Sequence, residues 1–213
     1  MNEKILLLEQ VLLPLYKEKE KELLFHGWHH VSFVKKKGGE FARSINANDF
    51  LVESAALVHD LNYLVAPNSL PEVGRRLRQE KLSDAGYSKE EVDRIEKIVI
   101  EEHMATRSAL ISDEGKALSD ADTLFKALPT TPILFAGKYI QENQIDIAKL
   151  ANKICDEQNR LLESGIYFYT DMAKQKYLSW AEANLKLWNN VQDALLDKDV
   201  QEMLATAKSA GVI

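Results

Sequence analysis

Histidine and aspartate side chains standing where apolar residues belong are the first features of this chain that could do chemistry. In Ala55-Ala56-Leu57-Val58-His59-Asp60-Leu61 an apolar run ends in a histidine followed at once by an aspartate. Burying a polar group unpaired costs about 2–7 kcal/mol, and a charge costs more. A metal ion that takes both side chains as ligands removes that cost. A His-Asp dipeptide alone is common by chance, so it becomes evidence only when other segments supply ligands. They do. His26, His30 and Val34 follow one another at i, i+4, which puts two histidines on one helix face, with His29 turned away. Asp122 falls inside the stripe Leu118, Ala121, Phe125 and Leu128, whereas Asp120 lies off it. His103 continues the inward face of Val92, Ile95 and Val99, with Glu102 beside it. Four helices thus each bring a metal-competent side chain to a buried face. Mixed imidazole and carboxylate ligands suit Mn, Fe, Co, Ni or Zn better than Ca, and the ion expected is a divalent metal, one of these or Mg.

The elements that must position these groups read as helices throughout. The chain has 213 residues with only nine Gly and five Pro, and no segment sustains period-2 alternation. Apolar spacing predicts helices over 3–24, 28–36, 49–60, 72–85, 88–107, 114–128, 132–142, 146–163, 168–197 and 199–209. Gly38-Gly39 is expected to break or bend the second of them, and Pro14 to kink the first. Ser88 with Glu91 forms a capping box, and Asn46 or Asn48 caps the third helix. The expectation is an all-α single domain over 1–213, with a site-bearing core at about 26–128 and further C-terminal helices at about 132–209. Tyr177, Ala181, Leu185, Trp188, Val191 and Leu195 form a stripe on the last long helix, either packing back on the domain or serving a homodimer interface.

Composition narrows the function classes. A net charge of −6 without a long basic run disfavours nucleic acid and anionic membrane as partners. The one cysteine, Cys155, excludes an internal disulfide framework and fits a reducing compartment. The amino-terminal stretch reads as neither a signal peptide nor a membrane span, so a cytoplasmic location is expected.

The ordered pattern His…His-Asp…Asp on a helical chain of this size resembles the HD superfamily of metal-dependent phosphohydrolases over roughly residues 26–128. His26-Gly27-Trp28-His29-His30, with Val34 four residues on, looks like the family's first-ligand helix. Residues 55–61 resemble its central motif, and Asp120-Ala121-Asp122-Thr123-Leu124 its closing one. The resemblance implies a helical bundle of the HD type with His30, His59, Asp60 and Asp122 as metal ligands, and His103 as a second-metal ligand or a substrate contact. The chain departs from the family at Phe33, where an Arg is frequent, and at Leu61-Asn62-Tyr63 after the His-Asp pair. Tyr63 occupies the place of a Glu found in the nucleotidase-like subgroup, and no second His pair of the cyclic-dinucleotide phosphodiesterase kind is present.

The implied chemistry is hydrolysis of a phosphate ester on a small soluble substrate such as a nucleotide. Asp60, Glu101 or Glu102 would accept the water's proton, while His26 and His103 would bind phosphate oxygens or protonate the leaving group. Arg75, Arg76 and Arg78 form either a guanidinium clamp on phosphate or a solvated helix face. Tyr63 lies in the motif loop as a further substrate contact. Two other readings share the scaffold: a di-iron oxygenase, which needs more histidine ligands, and a non-catalytic metal-binding module acting as a sensor or interaction protein.

Overall fold

Capping chemistry and helix-period burial explain most of the element boundaries in the computed structural model, which describes residues 2–104 and 106–212. The described residues form α-helices and one short 3-10 turn, with no strand among them. The first helices are α1 (Glu3–Glu18), α2 (Trp28–Ser44), α3 (Asp49–Val58) and α4 (Leu61–Val65), followed by the 3-10 turn Pro71–Gly74 and by α5 (Arg75–Asp84). Next come α6 (Lys89–Glu102), α7 (Asp113–Ala127), α8 (Thr131–Leu134), α9 (Ala136–Asn143) and α10 (Ile147–Glu163). The last two helices are α11 (Asp171–Leu196) and α12 (Lys198–Ser209). Ser88 and Glu91 close the expected capping box at α6, and Asn48 accepts from the Leu51 amide at 3.2 Å to start α3.

Helix α2 lies at the centre, flanked by α3 on one side and α7 on the other. Their apolar faces, with those of α1 and α6, make the main core, which includes Leu8, Val34, Leu57, Ile95 and Leu118. Helices α10 and α11 pack on each other, and α11 also rests on α7. A second apolar cluster joins Phe25 and Phe125 to Tyr139, Leu150, Cys155, Leu185 and Trp188. The Ala181–Leu185–Trp188 part of the α11 stripe is therefore buried within the chain. Among the described residues no helix is long and apolar enough to cross a membrane.

Several boundaries differ from the sequence expectation. Helix α2 continues without a break through Gly38-Gly39, where those glycines let α3 approach. A Cβ at Gly38 would stand 2.9 Å from Val52 Cγ1, and one at Gly39 only 2.2 Å from Glu53 Oε1. Close packing outweighs the helix-weakening effect of glycine, about 1 kcal/mol relative to alanine. Helix α1 stops at Glu18 instead of reaching residue 24, leaving a connecting segment that carries Phe25 and His26 toward the site. Helix α6 ends at Glu102 rather than about 107, so His103 is its cap and not part of its inward face. Ala105, within the longer helix expected there, lies outside the described residues, as do Met1 and Ile213.

Candidate metal centre and adjoining cavity

The first ligand candidate, His30, comes from the first turn of α2, which packs against both α3 and α7. His59 caps α3, and Asp60 follows it in a local break before α4. Asp122 lies midway along the almost wholly buried α7. These elements bring His30, His59 and Asp122 together, with ligand atoms within 4.8 Å of one another, and set Asp60 against the two histidines. His30 Nε2 lies 3.2 Å from His59 Nε2, 3.0 Å from Asp60 Oδ2 and 3.5 Å from Asp122 Oδ1. His59 Nε2 lies 3.2 Å from Asp60 Oδ2. His30, His59 and Asp122 are all buried.

Those separations fit a shared cation. Ligand atoms about 2.1 Å from a central ion stand about 3.0 Å apart at octahedral angles and about 3.4 Å apart at tetrahedral ones. The hydrogen-bond pattern fits as well. The His59 Nδ1–H donates to the Ala56 carbonyl at 2.8 Å, so in the neutral ring the Nε2 lone pair faces the cluster. Asp60 Oδ2 is buried without a hydrogen bond of acceptable geometry, although two imidazole nitrogens stand near it.

The electrostatics record the crowding. Burial pushes the His30 imidazole down to about 4. Burial also acts against the charged form of His59, but Asp60, Glu102 and Asp122 outweigh it and hold that ring at about 9. The two rings face each other through Nε2 and so accommodate one proton between them. Burial alone would raise Asp60, yet His59, His26 and His30 keep it well below the ordinary carboxylate range. Asp122 is likewise lowered against burial, chiefly by Lys126 with help from the histidines.

Around this cluster the chain places groups that the sequence reading did not single out. Lys126, one turn after Asp122, donates from Nζ to Asp122 Oδ2 at 2.5 Å while lining the cavity. Burial opposes its charge, but Asp122 and Glu102 raise it above the ordinary lysine value. Its i, i+4 relation to Asp122 was the available signal. Glu142, from α9, binds His26 Nδ1 and accepts from the Phe25 and His26 amides at 2.6 and 3.2 Å. Nothing in the local sequence marks that pairing, because the partners are 116 residues apart. His26 is thus held in place, stacked on Tyr63 with ring centroids 3.7 Å apart. Arg107 is buried and bonds Thr123 Oγ1, the Glu102 backbone carbonyl and the Glu102 carboxylate.

A cavity of about 150 Å³ opens beside the cluster. His26, His59, Asp60, Tyr63, Glu102, His103, Asp122 and Lys126 all line it. Burial and the nearby Asp122 carboxylate push the Glu102 carboxyl up to about 8. His103 is half-buried at the end of α6, and burial lowers its imidazole. His103 lies outside the group of ligand atoms that converge on the metal-type cluster.

Of the arginines read as a phosphate clamp or a solvated helix face, Arg78 fits neither, and none of the three lines the cavity. Arg78 points inward, where its Nε and Nη2 donate to Glu96 at 2.9 and 2.7 Å and its Nη1 to the Pro71 carbonyl at 2.6 Å. It is fully buried and does not line the cavity, because it fastens the 3-10 turn to α6. Arg75 and Arg76 are exposed on α5 and also lie off the cavity wall. Asn62 is structural too: its side-chain amide donates to the Ser69 carbonyl at 2.7 Å and closes the motif loop. Gly74 permits that closure, since a Cβ there would meet the Asn62 amide nitrogen at 2.5 Å. Asp120, off the apolar stripe as read, accepts from the Tyr169 and Thr170 amides at 2.7 and 2.8 Å and so fixes the entry to α11.

No protein-family model matches the chain. It is similar to YpgQ of Bacillus subtilis, a protein described as uncharacterized, at 36% identity over 107 residues. That match covers 46% of this chain and half the length of the relative. A crystal structure of B. subtilis YpgQ is similar in fold, with a TM-score of 0.55 and 23% identity over 89% of this chain and 97% of the other. The crystal structure of B. subtilis YpgQ in complex with ADP gives a TM-score of 0.59 and 24% identity over 93% of this chain and all of the other. These structures are likenesses of fold.

Proposed function

We propose that this chain is a metal-dependent phosphohydrolase of the HD type, acting on a small phosphorylated compound such as a nucleotide. One observation carries the reading: His30, His59 and Asp122 bring ligand atoms within 4.8 Å of one another beside a cavity, with Asp60 Oδ2 3.0 Å from His30 Nε2 and 3.2 Å from His59 Nε2. His30, His59, Asp60 and Asp122 would hold the ion. When bound, a divalent cation supplies Lewis acidity and lowers the pKa of water.

The chain's own residues supply the rest. Lys126 is a permanent cation on the cavity wall and pairs electrostatically with a phosphate oxygen while steadying Asp122. His26 is oriented by Glu142 and shielded on one face by Tyr63, which fixes its ring on the cavity wall beside the same phosphate. Glu102 lies on the cavity wall, where burial raises its carboxyl, and would pass a proton to a leaving oxygen. The aromatic and aliphatic walls around these groups limit water and strengthen each charge interaction. The ADP bound in a protein of similar fold supports a phosphorylated ligand.

The di-iron alternative calls for a second set of ligands. Among the described residues one group of metal-competent side chains converges, which favours a single ion. The test is a panel of phosphate mono- and diesters assayed with chelated protein and after adding Mn, Co, Ni, Zn or Mg, with Asp60→Ala as control. Metal-dependent release of phosphate or pyrophosphate that vanishes in Asp60→Ala supports the reading. Bound metal with no turnover points to the sensor, and two irons with oxygen uptake point to the oxygenase.

A further inference from the structure

The side of α11 that the domain leaves uncovered carries a regular pattern of its own. Trp180, Ala183, Leu187, Asn190 and Ala194 follow one another at alternating steps of three and four residues, and all five are exposed. Single apolar residues on a surface are ordinary, but this spacing is the seam of a packed helix pair. At the heart of that seam Trp180 and Leu187 are 39% and 43% exposed. The next helix has the same unmet need. Helix α12 carries Val200, Met203, Leu204 and Ala207 at the spacing of one apolar stripe, yet none of its residues is buried and its packing is on α11. A helix of 12 residues is marginal in water without a covered face.

Charge indicates what covers them. From Lys174 to Lys186 the exposed charges are three lysines against Glu182, whereas from Asp193 to Glu202 they are four acids against Lys198. The face is therefore basic at one end and acidic at the other. A two-fold axis at Leu187 turns this face onto itself end for end, so each basic end meets an acidic one. Shape agrees with charge. The same axis sets Leu187 against its own copy, Trp180 against Ala194 and Ala183 beside Asn190, so that the largest side chain meets a small one. A parallel pair would instead put Trp180 on Trp180 and like charge on like. An anionic lipid surface is disfavoured by the acidic end and by the net charge of −6.

We infer that this face of α11, with the start of α12, is an interface between two copies of the chain, paired antiparallel about a two-fold axis at Leu187. The partner's basic end then lies over the elbow where α12 begins. A seam of this length is small for a permanent interface, so the dimer dissociates reversibly on dilution. The interface does not depend on the phosphohydrolase reading.

The test is sedimentation velocity of the full chain over a concentration series, with circular dichroism to confirm the fold of each variant. The wild type should pass from monomer to dimer mass as concentration rises. Leu187→Glu and Ala183→Glu, both at exposed positions, put a carboxylate from each copy into the seam and should each weaken the dimer at least about tenfold. Oxidation of single-cysteine variants then reads the geometry, since the native Cys155 is buried. Leu187→Cys should give a covalent dimer, because facing Cα atoms at the axis lie within the about 7 Å reach of a disulfide. Ala183→Cys should not, because its two copies stand about 12 Å apart along the helices. Equal cross-linking at both positions would mean a parallel pair and overturn the two-fold arrangement. A dimer indifferent to both glutamate variants would place the contact elsewhere and overturn the interface. A monomer at every concentration overturns it as well, as does a monomer that floats with phosphatidylglycerol vesicles, which assigns the face to lipid.

Discussion

Two buried polar clusters in this molecule answer the same physical problem in opposite ways. Arg78 and Glu96 close on each other: two parallel hydrogen bonds at 2.9 and 2.7 Å and a third to the Pro71 carbonyl satisfy the guanidinium. That arrangement needs no outside group. His30, His59, Asp60 and Asp122 do not close. Two like nitrogens face each other at 3.2 Å, and Asp60 Oδ2 is left without a well-formed bond. Matched donors and acceptors make a strut, whereas an excess of acceptors around one point makes a site for a cation.

The sharpest way to break this comparison is to remove a ligand. Asp60→Ala should abolish tight binding of divalent metal and lower any phosphohydrolase activity by at least about 10³-fold, about 4 kcal/mol of transition-state stabilisation. Inductively coupled plasma analysis with steady-state assays checks it, and full metal content in the variant would sink the ligand assignment.

Removing half of the closed pair should do the reverse. Arg78→Met leaves Glu96 buried alone and should cost about 3–5 kcal/mol in denaturant unfolding, with metal stoichiometry unchanged. Arg78→Met combined with Glu96→Leu should recover most of that loss, because an apolar pair of similar volume replaces the ion pair. A double variant as unstable as the single would show that the pair contributes more than its own neutralisation.

Lys126 tests the open cluster from its rim. Lys126→Met should keep the metal yet raise the KM for a phosphate ester about tenfold or more, through loss of a charge-assisted contact. Unchanged KM with lost metal would assign Lys126 to holding Asp122 alone.

The smallest effect is a pH dependence of the metal-free protein. His59 is held at about 9, above its unfolded value of about 6.5, so its stabilisation is complete below about 6.5 and is lost as pH rises through about 9. Glu102, held at about 8, adds to that loss as it is forced to ionise. The Tm in chelator should therefore fall between about pH 6.5 and 9, while the Tm gain on adding metal grows over the same interval. A chelated Tm that is flat across that range would contradict the proton held at His59.

Arg78 also shows why legibility was uneven. Its sequence neighbourhood, three arginines after the motif loop, is equally compatible with a solvated face and an anion clamp. What decided its role is Glu96, 18 residues away on another helix. Asp122 was legible because its signal is local: one carboxylate inside a four-residue apolar stripe must find a partner. His103 continues the apolar period of α6 in the sequence, but α6 ends at Glu102 and the residue becomes a cap. The unbroken passage of α2 through two glycines was hidden for the same reason, since the close neighbours there are Val52 and Glu53 on another helix.

Helix periodicity, caps and polar intrusions on apolar faces are local, and from them the sequence alone determined an all-α chain and pointed to histidines and aspartates on buried faces, of which His30, His59 and Asp122 come together. Other polar contacts join groups on different helices, with no local mark in the sequence: Glu142 with His26, and Glu96 with Arg78. Only tertiary packing decided which polar groups satisfy one another and which are left facing a cavity, because hydrogen bonding and desolvation depend on neighbours in space.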